Sequence, residues 1–300
     1  MTDLRLDRRR LLHAAAGAGL VSGAFAGAGR IARADGQVAA LQGLVTIHRL
    51  GPVTLHAYRA PEASAAVTTH IVETAGALHI VDAQFLQVFA AEARAYAETL
   101  GKPIAAVYLS HAHPDHLLGA PQFAGAPFLT SANVRADAEG AAQIYAARKQ
   151  ALGDDTDLIL PAGELSLGAQ DWDGVAVEIA EVADAESPHA LTFHLPEAGL
   201  MIAQDLLYAS AHAYPLGDVP NWIAALEAIR ATEGLRVVAA GHGLPAAPGA
   251  LTDAIGYLTL QQQVLAEADT AEAAVAALKA AYPGYSAERL LGFVGRRFQP

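Results

Sequence analysis

Residues 110–116 read SHAHPDH, so His111, His113, Asp115 and His116 crowd into one short stretch. Imidazole nitrogen and carboxylate oxygen are ordinary zinc ligands, and the carboxylate adds a harder donor that also suits manganese or iron. His111 and His113 are two residues apart. In extended backbone such side chains share a face, so both imidazoles can meet one ion. Pro114 then bends the chain, which lets Asp115 and His116 reach a second ion nearby. Four ligand-type side chains in this order do little for packing. The chemistry they suit is metal-assisted: polarising a substrate oxygen and acidifying a bound water.

The motif needs a rigid element to hold it. IAAVYLS, ending at Ser110, reads as a buried strand that runs straight into it. Upstream, LVTIHRL and VTLHAYRA read as strands, and VTTHIVET and ALHIVDAQF as an antiparallel hairpin. LQVFAAEARAYAETLG has helical periodicity and stops at Gly101. Downstream, APFLTS is a strand and SANVRADAEGAAQIYAARKQALG is largely helical. VAVEIAEV, ALTFHLP and GLMIAQD are strands, VPNWIAALEAIRATEG is a helix, and LRVVAAGHG is a strand entering a loop. Residues 250–300 read as helical with a break at Pro283-Gly284. Strands and helices alternate in both halves, which predicts layered α/β structure, with residues 35–300 as one domain and no internal linker.

Composition narrows the functions. Of 300 residues, 53% are apolar, enough for a sizeable core, and the formal charge is -12. That charge argues against nucleic acid or an anionic membrane as partner and leaves a small-molecule substrate. There is no cysteine, so thiolate ligands, thiol nucleophiles and disulfides are excluded. Residues 1–34 carry consecutive arginines, leucines, a mildly apolar Ala/Gly stretch and Ala32-Arg33-Ala34. This resembles a twin-arginine export signal. It predicts a periplasmic or otherwise exported protein with no stable membrane insertion once the signal is gone. The Ala/Gly stretch is too rich in glycine for a convincing membrane span.

The run His111-Ala112-His113-Pro114-Asp115-His116 after a buried strand resembles the HxHxDH signature of the metallo-β-lactamase-fold hydrolases. The resemblance extends over roughly residues 65–245. HIVETAGALHIVDAQF looks like the family's opening hairpin with its aspartate, Asp82. LPEAGLMIAQDLLY looks like the strand pair that delivers a metal-bridging aspartate, Asp205. VVAAGHG looks like the strand ending in the last histidine ligand, His242. The resemblance implies a four-layer αββα sandwich with two ions, expected to be zinc, between the sheets. It also implies that Asp115 is both a ligand and a proton shuttle.

One position departs from the family pattern. Where a further histidine is usual, the loop ADAESPHALTFHLP places Glu186, with His189 three residues on. Either Glu186 replaces the histidine as an oxygen ligand or His189 swings in. An anionic ligand there leaves a metal-bound water less acidic than an all-histidine site does. Tyr208, three residues after Asp205, is either a donor to a developing oxyanion, as in the lactonase branch, or a core tyrosine. His212 is expected near the cleft without being a ligand. His48, His56, His70, His79 and His194 read as edge or core residues. Asp205 argues against a true β-lactamase, which leaves hydrolysis of an ester or lactone. The alternatives are a single-iron dioxygenase type and a metal-binding member without activity.

Overall fold

The computed structural model describes residues 30–32, 38–148 and 158–299. The signal-like segment 1–34, with its cleavage pattern at Ala34, lies outside these except for Arg30–Ala32. That strand, β1, pairs with β2 (Val38–Ala40). Two larger sheets follow. The first has seven strands in sequential order: β3 (Leu44–Leu50), β4 (Val53–Arg59), β5 (Thr68–Glu73), β6 (Leu78–Val81), β7 (Ile104–Tyr108), β8 (Phe128–Thr130) and β9 (Gly163–Glu164). β3 to β6 run antiparallel, and β6 to β9 are parallel neighbours. The second sheet is β10 (Gly168–Trp172), β11 (Val175–Ala183), β12 (His189–Leu195), β13 (Leu200–Ala209) and β14 (Val237–Gly243), with only the last pair parallel.

Period-two patterning sorts these strands into layers. Val72, Val81, Ala106 and Tyr108 of the first sheet pack against Val177, Ile179, Phe193, Ile202 and Ala239 of the second, forming the inter-sheet core. Their immediate neighbours Ile71, Ile80 and Val107 point the other way, onto Phe89, Ala90, Ala93 and Ala97 of helix α1 (Gln87–Thr99). On the second sheet, Met201, Ala203, Val238 and Ala240 face outward. There they meet Trp222, Leu226 and Ile229 of α4 (Val219–Arg230) and Leu251, Tyr257 and Leu258 of α5 (Gly249–Glu267). Strands buried on both faces must be apolar at nearly every position, and the central ones are. The result is helix, sheet, sheet, helix, as the sequence predicts.

Two further helices complete the site side, a single turn and a long one. α2 (Pro114–Leu117) carries proline in its first turn, where a missing N–H costs nothing. α3 (Ala132–Arg148) follows β8. The C-terminal region divides into α5, α6 (Ala271–Ala281) and a 3-10 segment, Glu288–Phe298. The break at Pro283-Gly284 is present. A second break, before α6, escapes the periodicity. Thr270 marks it by accepting a hydrogen bond from the backbone N–H of Ala273. Strands β9 and β10 also escape it, because GE and GAQDW lack β-branched residues.

Candidate metal centre

The ligand-type residues converge at one end of the sandwich, where the two sheets are stitched together. His111 bridges to Ala190 in β12, and His242 at the end of β14 bridges to Val67 just before β5. Asp205 is delivered by an irregular part of β13. The β13–β14 register shifts on either side of Gln204, whose φ is +45°. Bulges of this kind re-aim side chains beside functional sites. Opposite, Gly241 leaves room for the carboxylate: a Cβ there would lie 1.8 Å from Asp205 Oδ1.

Among the described residues three groupings have ligand atoms within 4.8 Å of one another: one is Asp82, His111 and His116, and the other two are His111, His113, Glu186 and Asp205, and Asp115, His116 and His242. Asp205 touches both of the latter. Its Oδ1 lies 3.1 Å from His116 Nε2, and its Oδ2 lies 3.4 Å from His242 Nε2 and 3.5 Å from His111 Nε2. Glu186 Oε1 is 3.3 Å from His113 Nδ1, and Asp115 Oδ2 is 3.2 Å from His242 Nε2. His111, His113, Asp115, His116, Glu186, Asp205 and His242 therefore lie together in one cluster. His189 is not in it: its Nδ1 pairs with Asp137 at 2.9 Å. His212 is also outside, bonded through Nδ1 to the Tyr257 hydroxyl at 3.0 Å. His70 is fully buried and bonds the Ala240 carbonyl, as a core histidine should.

The imidazoles are oriented from behind. His116 Nδ1 donates to Asp82 at 2.7 Å, and His242 Nδ1 donates to the Ala65 carbonyl at 2.7 Å. His111 Nδ1 lies 2.9 Å from Ser110 Oγ, whose own proton goes to Asp82. Fixing Nδ1–H outward leaves each Nε2 lone pair facing the cluster, the arrangement that metal-binding histidines use. Asp82 is the joint of this support. It accepts from the Ser110 N–H, the Ser110 hydroxyl, the Gln204 amide and His116, each at 2.7 Å. Its φ of +64° is rare for a non-glycine residue. The motif comparison marks Asp82 in the sequence, but the orienting role of Asp82, Ser110 and Gln204 becomes visible only in three dimensions.

Charge and burial test whether cations fit. His111 Nε2, His116 Nε2, His242 Nε2, Glu186 Oε2 and Asp205 Oδ1 are buried with no hydrogen-bond partner among the described residues. Each such orphan costs about 1–3 kcal/mol, and all five face one volume, which suits divalent ions. Protons must otherwise balance the carboxylates. Burial would lower both His116 and His242, but the charge of Asp205 outweighs it, with help from Asp82 and Asp115 respectively. His116 is held well above the usual histidine range and His242 is raised to about 10. Burial, then Asp205, pushes Glu186 well above the usual carboxylate range. His113, next to fewer carboxylates, is pushed down to about 3 by burial and by His111.

Tyr208 stands over the cluster. Its hydroxyl is 2.9 Å from Asp205 Oδ2 and 3.1 Å from Glu186 Oε1, so one proton serves two acceptors. Its ring stacks on His242 at 4.9 Å. Tyr208, His242, Asp115 and His113 also line a cavity of about 500 Å³ that opens to solvent. Tyr208 is thus both packed and in contact with the cavity, so the two readings of it in the sequence are not exclusive.

Residues 66–242, more than half the chain, match the metallo-beta-lactamase superfamily, and the chain belongs to that family. Its fold is similar to solved metallo-beta-lactamases. One from Pontibacter korlensis is 17% identical with a TM-score of 0.55, covering 72% of this chain and 99% of that one. The FIM-1 enzyme of Pseudomonas aeruginosa, in its mono-zinc form, is 16% identical with a TM-score of 0.55, covering 72% and 95%. One from Hirschia baltica is 19% identical with a TM-score of 0.54, covering 72% and 97%. No curated protein matches the chain.

Proposed function

We propose that the protein is a metal-dependent hydrolase of an ester or lactone, using two divalent ions, expected to be zinc. His111, His113 and Glu186 would hold one ion, Asp115, His116 and His242 the other, with Asp205 between them. The observation that carries this reading is the convergence of five unsatisfied buried ligand atoms on one volume beside a cavity. Bound there, the ions would supply an activated water and polarise the substrate carbonyl. The chain's own part is positional. Asp82, Ser110 and the Ala65 carbonyl fix the imidazole tautomers. Asp115 is only partly buried, with 15% of its side chain exposed, and it lines the cavity, so it can carry a proton toward a leaving group. Tyr208 is placed to donate to a developing oxyanion.

The export reading is proposed alongside, on the residues of 1–34 alone. The test is metal analysis of the full chain beside Glu186→Ala, followed by a screen of esters, lactones and phosphodiesters. About two zinc-like ions per chain, falling toward one in the variant, with turnover of an ester or lactone, supports the reading. A single iron, no tight metal, or metal without turnover refutes it.

A further inference from the structure

The outer wall of the cavity is built by the C-terminal 3-10 segment Glu288–Phe298, and this wall does not match the rest of the molecule. On a chain with a formal charge of -12, it sets two arginines, Arg289 and Arg296, on the lining. Both are exposed, and neither forms an ion pair with a carboxylate among the described residues. The segment is fastened elsewhere. The Ala287 N–H donates to Glu62 (2.8 Å), Ser286 is tied to Ser210, and Arg297 donates to the Pro215 and Gly217 carbonyls (2.9 and 3.1 Å). Arg289 gives one N–H to the Ala63 carbonyl and lies over the Phe85 ring at 5.3 Å. Arg296 lies over the Phe293 ring at 4.8 Å, and that ring meets Tyr214 edge-on at 5.3 Å. Tyr214 in turn meets the His113 ring edge-on at 5.1 Å. A continuous path therefore runs from the ligand cluster to a guanidinium at the cavity mouth.

The space between is apolar. Ile144 and Tyr145 of α3 also line it, and Ile144 is half exposed, so an apolar ligand entering the cavity could cover it. A site with carbonyl chemistry at its deep end, aromatic and aliphatic walls, and uncompensated guanidinium groups at its mouth is complementary to one kind of molecule. We propose that this site selects an organic ester or lactone with an apolar body and a carboxylate remote from the scissile bond. Arg296 is the principal anchor for that carboxylate and Arg289 the second. This inference rests on the hydrolase reading for the scissile bond, but the carboxylate recognition can be measured without turnover.

Binding of 4-phenylbutyrate and of its neutral isostere 4-phenylbutanamide to the zinc-loaded full chain is measured by calorimetry, with turnover of mono-4-nitrophenyl glutarate and 4-nitrophenyl butyrate in parallel. Charge-assisted hydrogen bonds from guanidinium favour the carboxylate by about tenfold or more. The acid is expected to bind at least about tenfold tighter than the amide, and the advantage should fall in R296Q and further in R289Q/R296Q. R296K should restore part of it, and Arg94→Gln, on a remote surface, should leave it intact. Equal binding of acid and amide overturns the inference. So does an acid preference that persists in R289Q/R296Q, since the ions themselves then hold the carboxylate. Hydrolysis of both esters at the same kcat/KM leaves the hydrolase reading standing and removes this one. Arginine-dependent binding of the acid without turnover of either ester does the reverse.

Discussion

Asp82→Asn tests the support of the metal centre without touching a proposed ligand. Asp82 Oδ2 receives three donors, from Ser110 Oγ, Gln204 and His116, and Oδ1 receives the Ser110 backbone N–H. Asparagine has only one carbonyl oxygen. If it takes the Oδ2 position, the three side-chain bonds survive, but the amide now faces the Ser110 N–H. One buried backbone donor is left unpaired, at about 1–3 kcal/mol. The His116 bond also loses its ionic character, and charge-assisted bonds are roughly twice as strong as neutral ones, so about 1 kcal/mol more is lost. The opposite amide orientation abandons three bonds to save one and is worse. The expected destabilisation is therefore about 2–4 kcal/mol. Because the bond that orients His116 is weakened and loses its anionic partner, metal affinity should fall about 10–100-fold. Urea unfolding of the metal-free chain reads the first quantity, and competition against a chelator of known affinity reads the second. A variant within about 0.5 kcal/mol of the parent, with unchanged metal affinity, refutes the claim that Asp82 organises the site, because ordinary surface substitutions do no more.

Two further outcomes follow from the geometry. Tyr208→Phe removes the hydroxyl shared by Asp205 and Glu186; if that hydroxyl also stabilises an oxyanion, kcat should drop about 10²-fold with KM little changed and metal content intact, whereas a loss confined to metal content or stability would make the tyrosine purely structural. His79 stacks on Trp172 at 4.3 Å, hydrogen-bonds the Tyr108 hydroxyl at 3.0 Å, and is pushed down from 6.5 to about 4 by burial. Because its native pKa is depressed, the unfolded chain binds the extra proton first; its contribution is intact above pH 6.5 and lost as pH falls from 6.5 toward 4, by about 2 kcal/mol at pH 5. Comparing urea midpoints of the metal-free parent and His79→Gln over that range should show the variant's slope shallower by up to one proton, and parallel curves would contradict it.

How much of this was readable in advance depends on how local each cause is. The HxHxDH run was legible because strand geometry and a proline act within a few residues, and His111, His113, Asp115 and His116 do meet. Asp205 and His242 were marked by resemblance to the family's strand motifs, and Asp205 stands within β13 rather than at its end. Glu186 was legible only as one of two candidates. His189 lies outside the cluster because Asp137, a residue of α3 far along the chain, holds it. Asp82's four donors come from β7's end, α2 and a bulge in β13, and no spacing rule joins those segments. The same holds for the outer wall. In the sequence, Leu290, Leu291 and Phe293 with Arg296 and Arg297 do not decide between a segment covering the core and one pairing with another chain. What decides is Glu62 capturing the Ala287 N–H, together with Ser210 and the carbonyls of Pro215 and Gly217 gripping the segment's two ends, which lays Arg289 and Arg296 over the cavity. In this fold the ligands come from short motifs that announce themselves. The residues that orient the ligands and line the substrate's path are placed by contacts between distant segments. A sequence can therefore advertise the metal chemistry while leaving the substrate to be read from the folded chain.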